Sequence, residues 1–296
     1  FLFFITDQHR VDYLGCYGHP LLKTPHIDSI AARGTRFDRF YVATPVCMPN
    51  RSTLMTGRMP SVHGVRSNGT PLALNSNTFV DALRASGYAT ALVGKSHLQN
   101  FSDIPAILKR PPPRTGDIVL NDSFAEAKKP AGGAYDQEHP KRWEPGRDFE
   151  MELPFYGFDH VDLCTTHGDQ VGGHYYVWLK QRRPDADALR DRKNQLPHDY
   201  VCPQAYRTPI PEDLYPTAYI AEQSCAWLDR YAAGSREQPF FLMTSFPDPH
   251  HPFTPPGRYW SMYRPQDMTL PASFDHGNRP LARSVAWALA QRESGK

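Results

Sequence analysis

Apolar residues fall along this chain in short unbroken runs separated by stretches of helical period. Phe1-Leu2-Phe3-Phe4-Ile5-Thr6 is continuous and stops at Asp7-Gln8. A run so short, with no polar alternation, predicts a strand buried on both faces, as in a parallel sheet. Residues 24–34 open with Thr24 and Pro25 and close on Gly34, the start and stop signals of a short helix. Residues 35–42 read as a strand, 77–87 as a second helix and 88–94 as another strand. Further on, 215–231 return to a helical pattern with Ile220, Trp227 and Leu228 on the core side, and 239–246 form one more apolar strand.

Strand, helix and strand in alternation predict a doubly wound α/β fold. Ligands of such sheets sit at the carboxyl ends of the strands. Asp7, Gln8, Lys95 and His250 each lie just past the end of an expected strand. Residues 101–200 differ in character, being rich in Pro, Asp, Arg and Gly with aromatic islands such as Tyr175-Tyr176-Val177-Trp178. They read as long loops and short elements inserted into the core, the kind of segment that shapes specificity. Trp143, Tyr175, Tyr176 and Trp178 are expected to pack rather than to bind.

Composition narrows the classes. The 296 residues carry 33 basic and 31 acidic side chains, a net charge of +2, so nothing attracts the chain as a whole to nucleic acid or to a membrane surface. The 29 prolines imply long irregular connections. Cys16, Cys47, Cys164, Cys202 and Cys225 are widely spaced and odd in number, which suggests neither a disulfide framework nor a zinc ribbon. No stretch has the apolar length of a membrane span. A cytoplasmic location is expected, with a periplasmic or secreted one left open because the chain starts inside an apolar run without a methionine and reads as trimmed.

Cys47-Met48-Pro49-Asn50-Arg51-Ser52-Thr53-Leu54-Met55-Thr56-Gly57-Arg58 has the form C-x-P-x-R followed by a helical stretch and T-G-R. A helix beginning near Pro49 puts Cys47 at its amino end, where free N–H groups favour an anion. Arg51, one turn on, can return a fork-shaped cation to the same point. Asp7 and Gln8 offer hard oxygen ligands suited to Ca²⁺ or Mg²⁺. Lys95 and His97, two apart on an extended segment, are expected on one side. Asn68, before Gly69, is a donor to a bound anion or a turn residue. Read without context, Cys47 is a small buried hydrophobe or a thiolate nucleophile that needs a partner histidine.

The C-x-P-x-R run resembles the maturation signature of type I sulfatases, Gly94-Lys95-Ser96-His97 resembles their G-K-x-H element, and Pro249-His250-His251-Pro252-Phe253 their P-H-x-P-F element. The resemblance covers residues 1 to about 100 and 215–280. It implies an alkaline-phosphatase-like three-layer α/β/α sandwich with a mostly parallel central sheet and long loop insertions. It implies that a formylglycine-generating enzyme oxidises Cys47 to formylglycine, whose hydrate attacks the sulfur of a small-molecule or carbohydrate sulfate ester and then collapses to release sulfate. Arg51, Lys95 and His97 would act on the sulfate and the hydrate, His250 on the ester oxygen, and Asp7, Gln8 and position 47 would hold a divalent cation, Ca²⁺ before Mg²⁺. Asp-Gln replaces the usual Asp-Asp pair, which leaves Gln8 less secure than Asp7.

The family's late metal-ligand pair is missing. Asp275-His276-Gly277 follows a proline-interrupted segment too close to His250 to be that pair. The chain therefore reads as the N-terminal part of one catalytic domain, with 282–296 beginning a further helix, and this part alone is expected to be inactive. A phosphonate monoester or phosphodiester hydrolase on the same scaffold is the alternative, which Lys95 and His97 disfavour. A non-catalytic anion-binding module is a third reading. His19, His26, His63, His139, His160, His167, His174 and His198 carry no spacing argument and read as surface or capping residues. Oligomeric state is not legible.

Overall fold

The computed structural model describes residues 1–102, 115–116, 133–144, 149–234, 237–271, 286–287 and 290. Asp275, His276 and most of 282–296 lie outside them. The chain divides into two compact units, Phe1–Ser261 and Met262–Lys296. The described part of the second is short, with one 3₁₀ turn at Pro265–Asp267.

Unit 1 is built on β1 (Leu2–Ile5), α1 (Pro25–Arg33), α2 (Cys47–Thr56), α3 (Pro60–His63), α4 (Phe79–Ala85), β2 (Ala89–Lys95), β3 (His160–Thr165), β4 (Gly172–Gly173), α5 (His174–Arg182), α6 (Ala186–Arg190), α7 (Pro216–Ala233) and β5 (Phe240–Ser245). Local signals set several boundaries. Thr78 and Asp81 close a reciprocal capping box at the start of α4. Pro216 opens α7 at a position where its missing N–H costs nothing.

The sheet order is β1-β5-β2-β3-β4, parallel except for β4. Alternation along the buried strands sends side chains to two cores. Leu92, Leu163, Phe241 and Met243 pack with Met48 and Met55 of α2 and Val80 of α4. Ala91, Val93, Cys164 and Leu242 pack on the other face with Tyr175, Trp178 and Leu179 of α5 and Tyr219, Ile220 and Trp227 of α7. Leu228 is partly buried against the same cluster. Helices on both faces of a mostly parallel sheet make the expected three-layer α/β/α arrangement.

Three expectations are corrected. Among the described residues β1 pairs only with β5, and its residues alternate between exposed and half-buried rather than being covered on both faces. Residues 35–42 form no strand; Phe37, Phe40 and Tyr41 are 63%, 79% and 84% exposed, and Tyr17 Oη donates to Phe37 O along an irregular path. Residues 160–182 are not loop insertion but supply two strands and a core helix. Trp143, Tyr175 and Trp178 are packed in the interior as expected.

Candidate active site

The carboxyl ends of β1, β2, β3 and β5 converge, and α2 points its amino end at them. Val46 is extended and Cys47 begins the helix. Cys47 is half-buried, with Sγ 3.8 Å from Asp7 Oδ1. Arg51, one turn later, is buried. Its Nη1 donates to Lys95 O at 2.8 Å and Ser245 Oγ at 3.0 Å, and its Nη2 donates to Asp7 Oδ2 at 3.3 Å. The guanidinium thus ties α2 to the ends of β2 and β5 as well as facing the site.

Lys95 is the last residue of β2 and fully buried. Gly94 before it has φ +109°, and a Cβ there would overlap the carbonyl oxygen of Ser245 on β5. Only glycine lets the two strands run this close where the lysine turns into the site. Lys95 Nζ lies 2.5 Å from Asp7 Oδ2 and 2.5 Å from His167 Nε2. The expected shared side for Lys95 and His97 does not arise from an extended segment, because His97 takes φ +54° and the chain turns there. Its ring stacks on Phe101 at 3.7 Å, and its Nδ1 has no partner among the described residues.

Two further residues belong to this site. The buried Glu138 carboxylate accepts the N–H groups of His97, Leu98 and Gln99 at 2.8–2.9 Å and so fixes the turn that places His97. His167 is corrected from surface or capping residue to member of the cluster, with its ring parallel to His250 at 3.6 Å. A histidine two residues past a strand end was the available clue, hidden because that strand was not recognised.

His250 is half-buried and its Nδ1 is satisfied by His251 O. His251 Nδ1 bonds Gln8 Oε1 at 3.0 Å, and Gln8 itself sits at φ +56°. Asn68 Oδ1 accepts the Met48 N–H at 3.1 Å, which leaves its Nδ2 for the cavity it lines. That cavity, about 570 Å³, is lined by Asp7, Gln8, Cys47, Arg51, Asn68 and His250 among others.

Charge in the site is asymmetric. Burial alone would raise the Asp7 carboxyl, but Lys95 and Arg51 outweigh it and hold it at about 2. Burial, then the Arg51 cation, lowers Lys95, with Asp7 opposing. Burial also pushes the Cys47 thiol up, Asp7 adding to it against Lys95 and Arg51. His97 and His250 are lowered by burial, and His167 falls to about 2 from burial and the nearby Lys95.

The donor set bears on a cation. Asp7 stays ionised and, with Gln8 Oε1, would give two hard ligands, a partial shell for an ion that takes six to eight. Cys47, His167 and His250 place one ligand atom each within 4.8 Å of one another, a soft set of a different kind. Among the described residues no helix is long and apolar enough to cross a membrane.

Residues 1–116 match the family model described as Sulfatase. Over 277 residues the chain is 25% identical to the arylsulfatase of Clostridium perfringens (strain 13 / Type A), covering 93% of this chain and 48% of that protein. Over 103 residues it is 45% identical to arylsulfatase A of Homo sapiens, covering 33% and 20%. The solved phosphonate monoester hydrolase of Agrobacterium radiobacter superposes with a TM-score of 0.62 at 25% identity, over 97% of this chain and 47% of that one. The fold is the alkaline-phosphatase-like α/β arrangement. Over residues 1–116 the chain is similar to the sulfatase family. It spans about half the length of the curated relatives that align along most of it.

Proposed function

We propose that this chain carries the nucleophile-bearing part of a sulfuric ester hydrolase whose nucleophile is formylglycine made from Cys47. The observation that supports this most is the gathering of Arg51, Lys95 and Asp7 around the first residue of α2. As an encoded thiol, Cys47 is a poor nucleophile, because burial and Asp7 keep its proton on.

A hydrated aldehyde at position 47 supplies two hydroxyls, one to attack sulfur and one whose deprotonation lets sulfate leave. Lys95 and the positive end of the α2 dipole face the sulfate oxygens and offset charge that builds during transfer. Arg51 acts in the same field while holding the helix to the sheet. His250, whose Nδ1 is held by His251 O, takes the attacking hydroxyl's proton on Nε2 and passes it to the departing alcohol; His97, held by Glu138, accepts the proton from the second hydroxyl. Asn68 Nδ2 donates to the bound anion. Asp7, Gln8 and position 47 would hold a divalent cation, Ca²⁺ by the hardness of the oxygens, which would add charge neutralisation there. The substrate is a small-molecule or carbohydrate sulfate ester, and a formylglycine-generating enzyme is the maturation partner.

The likeness to a phosphonate monoester hydrolase favours a second reading, phosphonate or phosphodiester hydrolysis. Lys95 and His97 weigh against it, since they match the sulfatases' G-K-x-H element, where the phosphonate branch tends to carry uncharged residues.

The test is sulfate release from aryl and carbohydrate sulfate esters by the whole protein, co-produced with a formylglycine-generating enzyme. Phosphonate monoesters run beside them and Cys47→Ala serves as control. Sulfate release abolished in Cys47→Ala is expected. Faster turnover of phosphonates moves the assignment to the second reading; turnover unchanged by the substitution refutes both.

A further inference from the structure

We propose that His167 is a positioning residue for this site: its Nε2 accepts a hydrogen bond from the Lys95 ammonium and its face supports His250, so the two groups are aimed as one unit. The proposal rests on the sulfuric ester reading for its chemistry, but its geometry stands alone.

The donor count comes first. Lys95 Nζ has three N–H groups and no lone pair. One is 2.5 Å from Asp7 Oδ2 and another 2.5 Å from His167 Nε2. His167 Nε2 must therefore be an acceptor, with the ring proton on Nδ1. Among the described residues two directions of the ammonium are fixed by hydrogen bonds, with Phe101 at 5.6 Å, and the third donor is open to an oxygen of a bound anion. Removing the imidazole acceptor would free Nζ to swing about the long lysine stem.

The backbone is built to deliver this ring. Thr166, a β-branched residue, takes φ +60°, and Gly168 takes φ +55°. A left-handed threonine is a strained choice that surrounding structure has to enforce. The residues that follow His167 are tied to the His250 loop. A Cβ on Gly168 would lie 2.8 Å from Pro252 O and 3.0 Å from Thr254 Oγ1, and Asp169 N donates to Thr254 Oγ1 at 3.0 Å. The turn bearing His167 and the segment after His250 are thus joined, and the rings stack at 3.6 Å with 13° between planes. The edge contact with Phe101, 5.8 Å between centroids, closes the other side.

Two substitutions in the whole protein separate acceptor from ring: His167→Phe keeps an aromatic face without an acceptor, and His167→Gln keeps an acceptor without the ring. The first readout needs no turnover. The imidazole ¹⁵N spectrum, with His167 assigned by the signals lost in His167→Phe, is expected to show Nδ1 protonated and Nε2 accepting; an Nε2-protonated ring overturns the proposal. The second is kinetic. His167→Phe is expected to lower kcat/KM about 10- to 100-fold, the worth of a hydrogen bond to a charged group, with His167→Gln recovering most of it. Wild-type rates in His167→Phe, or equal losses in both variants that track their melting temperatures, overturn it. His167 signals that shift with added Zn²⁺, and cease to in Cys47→Ala, replace it with a metal-ligand role. Failure of the sulfatase reading looks different: wild type and Cys47→Ala are equally silent on sulfate esters while the ¹⁵N spectrum still decides.

Discussion

Asp7 Oδ2 lies 2.5 Å from Lys95 Nζ and 3.3 Å from Arg51 Nη2, so one carboxylate on the β1 exit neutralises two buried cations from β2 and α2. Removing it leaves like charges facing each other with little water. Breaking a buried pair from one side costs about 3–5 kcal/mol in closed interiors. The open cavity beside Asp7 lowers this, and we expect Asp7→Asn to lose about 2 kcal/mol in urea unfolding together with divalent-ion binding. A loss under about 0.5 kcal/mol would mean that solvent already screens both cations.

The same carboxylate sets a pH signature. Its folded value of about 2 lies below the ordinary 3.8, so its contribution is present above the unfolded value and is lost as pH falls through about 2. The shift is worth about 2 kcal/mol. Glu138 acts oppositely. Burial raises it from 4.5 to about 6, against the pull of its three N–H donors, so its contribution is full below 4.5 and is lost as pH rises through about 6. Denaturant midpoints measured from pH 2 to 7 should fall at both ends. Asp7→Asn should flatten the acid limb alone, and Glu138→Gln the other; a change in the wrong limb refutes the assignment.

At Gly94 a methyl group has nowhere to go, since the obstacle is backbone of the neighbouring strand rather than a movable side chain. We expect Gly94→Ala to destabilise by more than about 3 kcal/mol, in the range of the severe core lesions. Gly87→Ala, also at positive φ but with open space around its Cβ, should cost about 1 kcal/mol. Equal melting temperatures for the two variants would contradict the close approach.

Much of the fold was legible because its signals are local. Pro25, the Thr78 cap and Pro216 mark helix starts, and the apolar runs of β2 and β5 announce central strands. β3 was missed because His160 and Asp162, paired with each other at 2.8 Å, break the apolar run between Val161 and Leu163. β1 reads like a central strand, and only the sheet order puts it at an edge among the described residues. At the site, Asp7, Gln8, Cys47, Arg51, Asn68, Lys95, His97 and His250 could be named from motif and strand-end position. His167 and Glu138 could not, because their roles consist of contacts spanning 72 residues to Lys95 and 41 to His97.

Met48, Pro49, Arg51 and Ser52 are buried around Cys47, and Arg51 is fastened to the strand ends beneath it. That has a consequence in time. Any enzyme that must grip the backbone on both sides of Cys47 can do so only before α2 docks on the sheet. On the proposed reading, conversion of Cys47 would then belong to the chain's first moments, while it is still extended, and a molecule that folds first would keep its thiol.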